Sequence, residues 1–192
     1  MIDRAKFFDG YRYNFQKITR EQLEDLEFFI TKLDDSEKIT GESWNIVAWK
    51  YSYVFSTVYW ETAQTFDPIS ERGTRSYLMN KPYYPYYGRG YVQLTWKTNY
   101  RKFGDFLGID LVNNPYLANE PENAWLILEE GMTRNWNVKR QDDPNFTAYT
   151  LEDCFNEQTI NPVRARRIIN GSDRASEIAR ICQKFYNIID FE

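Results

Sequence analysis

The chain has 192 residues, enough for one domain with a real core or for a two-lobed domain around a cleft. A net charge of −4 with a pI near 5.1 argues against nucleic acid as a partner, since such binders carry a basic face. The absence of histidine excludes every His-based triad and His metal site, and 42% hydrophobic residues with few glycines and prolines excludes a disordered chain.

Residues 1–18 are aromatic and basic and predict a short first helix with Asp3 as its cap. Charges fall where a signal peptide would be apolar, so none is read, and no run of about 18 apolar residues predicts a membrane span. Thr19 followed by Gln22 is a capping-box pattern. Leu23, Leu26, Ile30 and Leu33 then predict an amphipathic helix to about Asp35. Lys38 to Glu42 reads as a loop. Ser43 can cap the next helix, in which Val47, Tyr51, Val54 and Val58 form one apolar stripe. Glu61 falls on that same face near the helix end. Burial and the negative end of the helix dipole would both raise the pKa of a carboxylate placed there.

From Phe66 to Val92 prolines and glycines are dense, predicting a long ordered loop of the kind that usually carries function. Glu71 lies in it, flanked by Ser70 and Arg72. Thr95 can cap a helix that runs to about Leu107 and stops at Gly108. Pro121 suits a helix start, with Ala124, Trp125, Leu128 and Met132 on its inner face. Residues 137–149 read as surface loop. Thr150 with Asp153 predicts another short helix. Asn161 and Pro162 cap and open a further one, closed by Gly171. Ser172 or Asp173 would cap the last, whose Ile178, Ile181, Phe185 and Ile188 face the core. The fold class expected is mainly α with an irregular middle, a single catalytic domain over 1–192. Cys154 and Cys182, both in predicted helices, read as free buried thiols. No cysteine cluster implies a metal and no cofactor is called for. The aromatic content of 18% allows a ring-rich core or a groove lined with rings that stack on sugar faces.

Cleaving an acetal between two sugars takes one carboxylic acid to protonate the leaving oxygen and a second carboxylate to activate water or to attack. Glu61 has the environment of the acid. Glu71, Asp67 and Asp105 are candidates for its partner, with Glu71 favoured because its loop can cross a cleft and Arg72 or Arg89 could hold it ionised.

The run Tyr87-Gly88-Arg89-Gly90-Tyr91-Val92-Gln93-Leu94-Thr95-Trp96, followed by Asn99-Tyr100, resembles the signature of family 19 glycoside hydrolases, the plant-type chitinases and their phage endolysin relatives. Glu61-Thr62-Ala63 resembles the family's His-Glu-Thr motif, and Pro68 to Gly73 resembles the phage branch. Arg167 to Gly171 with Asp173-Arg174 resembles the closing motifs. The likeness covers about residues 44–190 and leaves 1–40 unplaced. It implies a two-lobed, lysozyme-like helical domain with a substrate cleft. It makes Glu61 the general acid, Glu71 the general base and Thr95 the holder of the attacking water. Tyr87, Arg89, Gln93, Trp96, Asn99 and Asn170 would bind the glycan, and Arg174 would sit near the acid and tune its charge. Trp60 stands where the family has histidine, Ser172-Asp173 where plant members have a further acid, and the plant disulfides are absent. The resemblance implies an inverting endolysin, a monomer made without a leader in a phage host's cytoplasm. It would reach the wall after release by a holin and cleave the β-1,4 bonds of peptidoglycan, an antimicrobial activity. A chitinase and a catalytically silent glycan-binding protein are the alternatives.

Overall fold

The computed structural model describes residues 1–136 and 149–192, so the surface-loop expectation for 137–149 lies, except for Tyr149, outside the described residues. The elements run α1 (Arg4–Asn14), α2 (Arg20–Asp34), α3 (Trp44–Glu61), α4 (Arg75–Met79), α5 (Lys97–Leu107), a 3-10 turn (Pro115–Asn119) and α6 (Pro121–Thr133). A two-stranded antiparallel hairpin follows, β1 (Phe155–Asn156) and β2 (Thr159–Ile160), then α7 (Pro162–Ala165), a 3-10 turn (Arg166–Ile168) and α8 (Ala175–Tyr186).

Most helix starts obey the local capping rule. The Asp3 carboxylate accepts from the Lys6 amide, Ser43 accepts from Ile46, and both bonds of the Thr19–Gln22 capping box form. Gly108 ends α5 in the left-handed region, φ +70°. Three starts differ from expectation. The residue before α5 is Trp96, at φ +75°, and the Thr95 hydroxyl donates back to the Gln93 carbonyl instead of capping. Arg174, at φ +55°, precedes α8, and neither Ser172 nor Asp173 caps it. The Thr150 amide does donate to Asp153, at 2.8 Å, but no helix follows. Cys154 and Phe155 are both fully buried, with Phe155 against Tyr53, and two consecutive inward residues suit a turn entering a strand better than a surface helix. Cys154 therefore lies in a turn and only Cys182 in a helix; both are free and buried. The chain after Pro162 tightens into a 3-10 turn before Gly171.

The apolar stripe expected on α3 understates its burial. Every residue from Ile46 to Val58 but Trp49 is buried, so α3 is a central helix, packed most extensively along α8. Phe55 meets Phe7 of α1 at 5.0 Å, Phe29 of α2 at 5.3 Å and Phe185 of α8 at 5.1 Å between ring centroids. Each such ring contributes about 1.5–3 kcal/mol by leaving water. Most aromatic residues thus build the core, and the N-terminal helices belong to it. The termini clasp beside it: Ile2 bridges Phe191, and the Asp3 amide donates to the Asp190 carbonyl. Among the described residues no helix is long and apolar enough to cross a membrane.

Candidate active site

Glu61 is the last residue of α3, where Tyr53, Thr57 and Glu61 recur every fourth position and face the 3-10 turn after α7. The Tyr53 hydroxyl donates to the Ala165 carbonyl at 2.8 Å, docking that turn on the helix. The docking brings in Arg166, 1% exposed, whose Nη1 donates to Glu61 Oε1 at 2.7 Å while its Nε donates to the Asp173 carbonyl. Burial pushes the Glu61 pKa above the ordinary glutamate value; the Arg166 charge and hydrogen bond pull it down by less, and nearby Asp173 adds to the rise. The resemblance assigns the tuning cation to Arg174. The structure corrects this: Arg174 precedes α8 with its side chain more than half exposed and pairs with Glu177 at 2.9 Å. Arg166 is the functional residue that sequence reasoning missed. The cluster Arg164, Arg166, Arg167 was a signal that cations gather there, but only the tight turn decides which of them points inward.

Beyond Glu61 the backbone is strained. Ala63, Gln64 and Phe66 have φ of +51°, +73° and +64°, a region that costs a non-glycine residue roughly 1–2 kcal/mol. The turn is held by Thr62, whose hydroxyl donates to Val58 and accepts from the Phe66 amide, and by the fully buried Phe66 ring.

Glu71 sits on a small ladder, not on a free loop. Its amide donates to the Gly88 carbonyl at 2.7 Å, Ser70 bridges Arg89, and Arg89 in turn bridges Leu94. The carboxylate accepts from the Tyr83 hydroxyl at 3.1 Å and the Gly88 amide at 3.3 Å. Neither Arg72 nor Arg89 holds it, contrary to expectation. Arg89 is buried inside the loop, donating to the Pro85 and Tyr87 carbonyls and to the Tyr100 hydroxyl, with its guanidinium 3.8 Å from the Tyr87 ring centre. It ties the loop together from within and is not a surface for glycan. Gly90 has φ +76°, and a Cβ there would meet the Ala118 carbonyl oxygen at 2.6 Å, so the ladder requires glycine.

The remaining predicted residues divide between these two places. Gln93, at φ +51°, donates to the Ile69 and Gly90 carbonyls and so crosses the ladder that bears Glu71. With its hydrogen committed to Gln93, the Thr95 hydroxyl keeps its lone pairs to accept from water. The Asn99 amide donates to the Thr95 carbonyl, while its buried Oδ1 has no protein partner. The Trp96 ring meets Tyr83 edge-on at 5.3 Å, and Tyr87 stacks with Tyr84. Asn170 is exposed just after the turn that carries Arg166. Glu71, Thr95, Gln93, Asn99, Trp96 and Tyr87 thus form one network, and Glu61 with Arg166 another; the two carboxylates share no hydrogen bond. Asp67 and Asp105 are exposed. Trp60 lines a 230 Å³ pocket with Tyr59, Ala63, Gln64 and Ile181, a lining that does not include Glu61. A 490 Å³ cavity, between Asp34 and Tyr51, touches none of these residues and plays no part in the site. Among the described residues no group of side chains could hold a metal ion.

Comparison with known proteins gives the family and the fold. The family model for class I chitinases, glycoside hydrolase family 19, matches residues 2–149, and so takes in α1 and α2, which the motifs left unplaced. Chitinase 11 of Oryza sativa subsp. japonica is 66% identical over 35 residues, 18% of this chain and 14% of that protein. Inactive chitinase-like protein 1 of Hevea brasiliensis is 50% identical over 49 residues, 22% of this chain and 16% of that protein. The chain therefore matches only a small part of the length of these curated relatives. Chitinase C from Streptomyces griseus HUT6037 superimposes with a TM-score of 0.59 at 22% identity, over 97% of this chain and 75% of its own. A bacterial family 19 chitinase gives 0.57 at 24% identity, over 99% of this chain and 95% of its own. The mainly helical, lysozyme-like fold is that of family 19 chitinases, and the chain belongs to glycoside hydrolase family 19.

Proposed function

We propose that the protein is an inverting glycoside hydrolase that cleaves β-1,4 bonds between N-acetylated aminosugars. The observation that carries this is the contrast between two carboxylates. Glu61 is largely buried with its pKa raised, as a proton donor needs, whereas Glu71 is oriented by donors from Tyr83 and Gly88, as a proton acceptor needs. Oε1 of Glu61 accepts from Arg166, so the transferable proton belongs on Oε2. That proton passes to the glycosidic oxygen, and Arg166 stabilises the carboxylate left behind. A water accepted by Thr95 attacks the anomeric carbon from the opposite face while Glu71 takes its proton.

Two substrates share this backbone chemistry. Most of the matched relatives described are named chitinases or endochitinases, beside one inactive chitinase-like protein, which supports polymers of N-acetylglucosamine. Peptidoglycan, with the endolysin role and holin-assisted release, is the second reading, favoured by the charge around Glu71 described below. A silent binder would need neither the raised acid nor the oriented base. The test is digestion of chitin hexamers and of purified peptidoglycan, with new reducing ends identified by mass spectrometry and the first anomer by proton NMR. The α-anomer is expected first; early release of the β-anomer would sink the role of Glu71. Glu61→Gln should lower turnover by about 10² or more while leaving glycan binding intact.

A further inference from the structure

Charge is distributed unevenly along the chain. Between Pro68 and Gly104 the only acidic residue is Glu71, yet the stretch holds Arg72, Arg75, Lys81, Lys97 and Arg101 at partly or fully exposed positions, within a chain of net charge −4. Elsewhere many cations are neutralised locally: Arg4 holds Glu27 and Asp34, Lys32 holds Glu122, and Lys50 holds Glu152, whereas Lys17, Arg164, Arg180 and Lys184, without an ion pair among the described residues, lie scattered through stretches that also carry acidic residues. Among the described residues Arg72, Arg75, Lys97 and Arg101 have no ion pair, and even Asp105, one turn beyond Arg101 on α5, does not pair with it.

These side chains are gathered by the site itself. Arg72 follows Glu71 directly. Lys81 stands 4.0 Å over the Tyr77 ring of α4, which Arg75 opens, within the field of Tyr83 and Glu71. Tyr83 donates to Glu71 and meets Trp96, and Lys97 follows Trp96 with its ammonium 5.8 Å from the Tyr86 ring centre. Arg101 lies one turn on from Lys97, on the same face of α5. The placement of the last two works against the fold: Lys97 is the first residue of an eleven-residue helix, where the dipole disfavours a cation. Lys97 and Arg101 also repel each other at four-residue spacing. Fold stability does not explain an arrangement that opposes it, and a neutral polymer gains nothing from it.

Resting on the proposed hydrolase, we infer that Arg72, Arg75, Lys81, Lys97 and Arg101 form a cationic rim beside the base that binds carboxylates carried along a β-1,4 glycan. The carboxylates that fit are those of lactyl ethers and stem peptides on a peptidoglycan strand. Unpaired guanidinium and ammonium groups on the segments around Glu71 draw such a strand in and hold it, and added salt weakens that hold.

The experiment uses the full chain, wild type and an Arg75→Glu/Lys97→Glu/Arg101→Glu variant. Substrates are purified peptidoglycan, the same peptidoglycan with its carboxylates amidated through a carbodiimide, and chitin hexamers. Wild type should prefer unmodified over amidated peptidoglycan by about tenfold, with the preference shrinking between low and high salt. The reversed variant should lose that preference and cleave chitin hexamers as wild type does. Equal cleavage of the two peptidoglycans by wild type overturns the proposal, as does a variant equally impaired on chitin hexamers. Sedimentation binding of a Glu61→Gln chain to both peptidoglycans tests the rim without turnover. Preferential binding of the unmodified form, in a protein that cleaves nothing, would keep the rim and defeat the hydrolase.

Discussion

Arg166 decides how Glu61 behaves. Its charge opposes the rise that burial imposes, so the acid's pKa is raised less than burial alone would raise it. The alkaline limb of the pH–rate profile should reflect Glu61, because the active form is the protonated one. Arg166→Gln removes the pull toward ionisation, so that limb should move to higher pH, with Arg166→Lys returning it part of the way. A limb that stays put or moves down would show that Arg166 does not govern the acid. The same shift has a sign for stability. A carboxyl whose folded pKa is raised contributes stability that is fully present below its unfolded pKa and lost as pH rises through the folded one. The Glu61 carboxyl should therefore favour the native state on the acidic side of that window.

The turn after α3 shows what positioning the acid costs. Ala63 adopts φ +51° on an exposed position where its side chain supports nothing in the core. Ala63→Gly should relieve that strain and stabilise the protein by about 1 kcal/mol, read as a higher urea midpoint at unchanged slope. A lower midpoint would mean that the rigidity of alanine in the unfolded chain outweighs the strain. Gln93 and Trp96 hold the same kind of backbone in the ladder beside Glu71. Strained backbone thus flanks both carboxylates, and the buried elements on either side over-determine it.

The whole chain folds around α3, and both thiols sit inside that packing. Burial raises Cys154 to about 11 and raises Cys182 as well, with Ser56 pulling the latter back slightly. Native protein should therefore react negligibly with a thiol reagent at pH 8, and two thiols should titrate after denaturation without reductant. Fewer than two would reveal a bond that the folded geometry does not contain. The tie between Ile2 and Phe191 and the tilted contact of Phe7 with Phe55 make α1 part of the same body as the site. That explains why the family match reaches back to residue 2 even though residues 1–40 carry no motif.

What the sequence determined by itself is local. Asp3, Thr19 with Gln22, Ser43, Pro121 and Asn161 with Pro162 mark helix starts, because a cap joins groups about three residues apart. Glu61 at the buried end of a helix, and the run from Tyr87 to Tyr100, were likewise legible from spacing and residue type. Only the tertiary structure decided what meets those groups. Arg166 reaches Glu61 across 105 positions, and Tyr83 reaches Glu71 across 12. Cys154 and Phe155 form a turn and strand where a cap pattern predicts a helix, because burial against Tyr53 outweighs a local hydrogen bond. Thr95 and Arg174 were misplaced for the same reason. A hydroxyl or a cation can satisfy itself in several ways within its own segment, and the choice is made by whichever distant surface the segment is packed against.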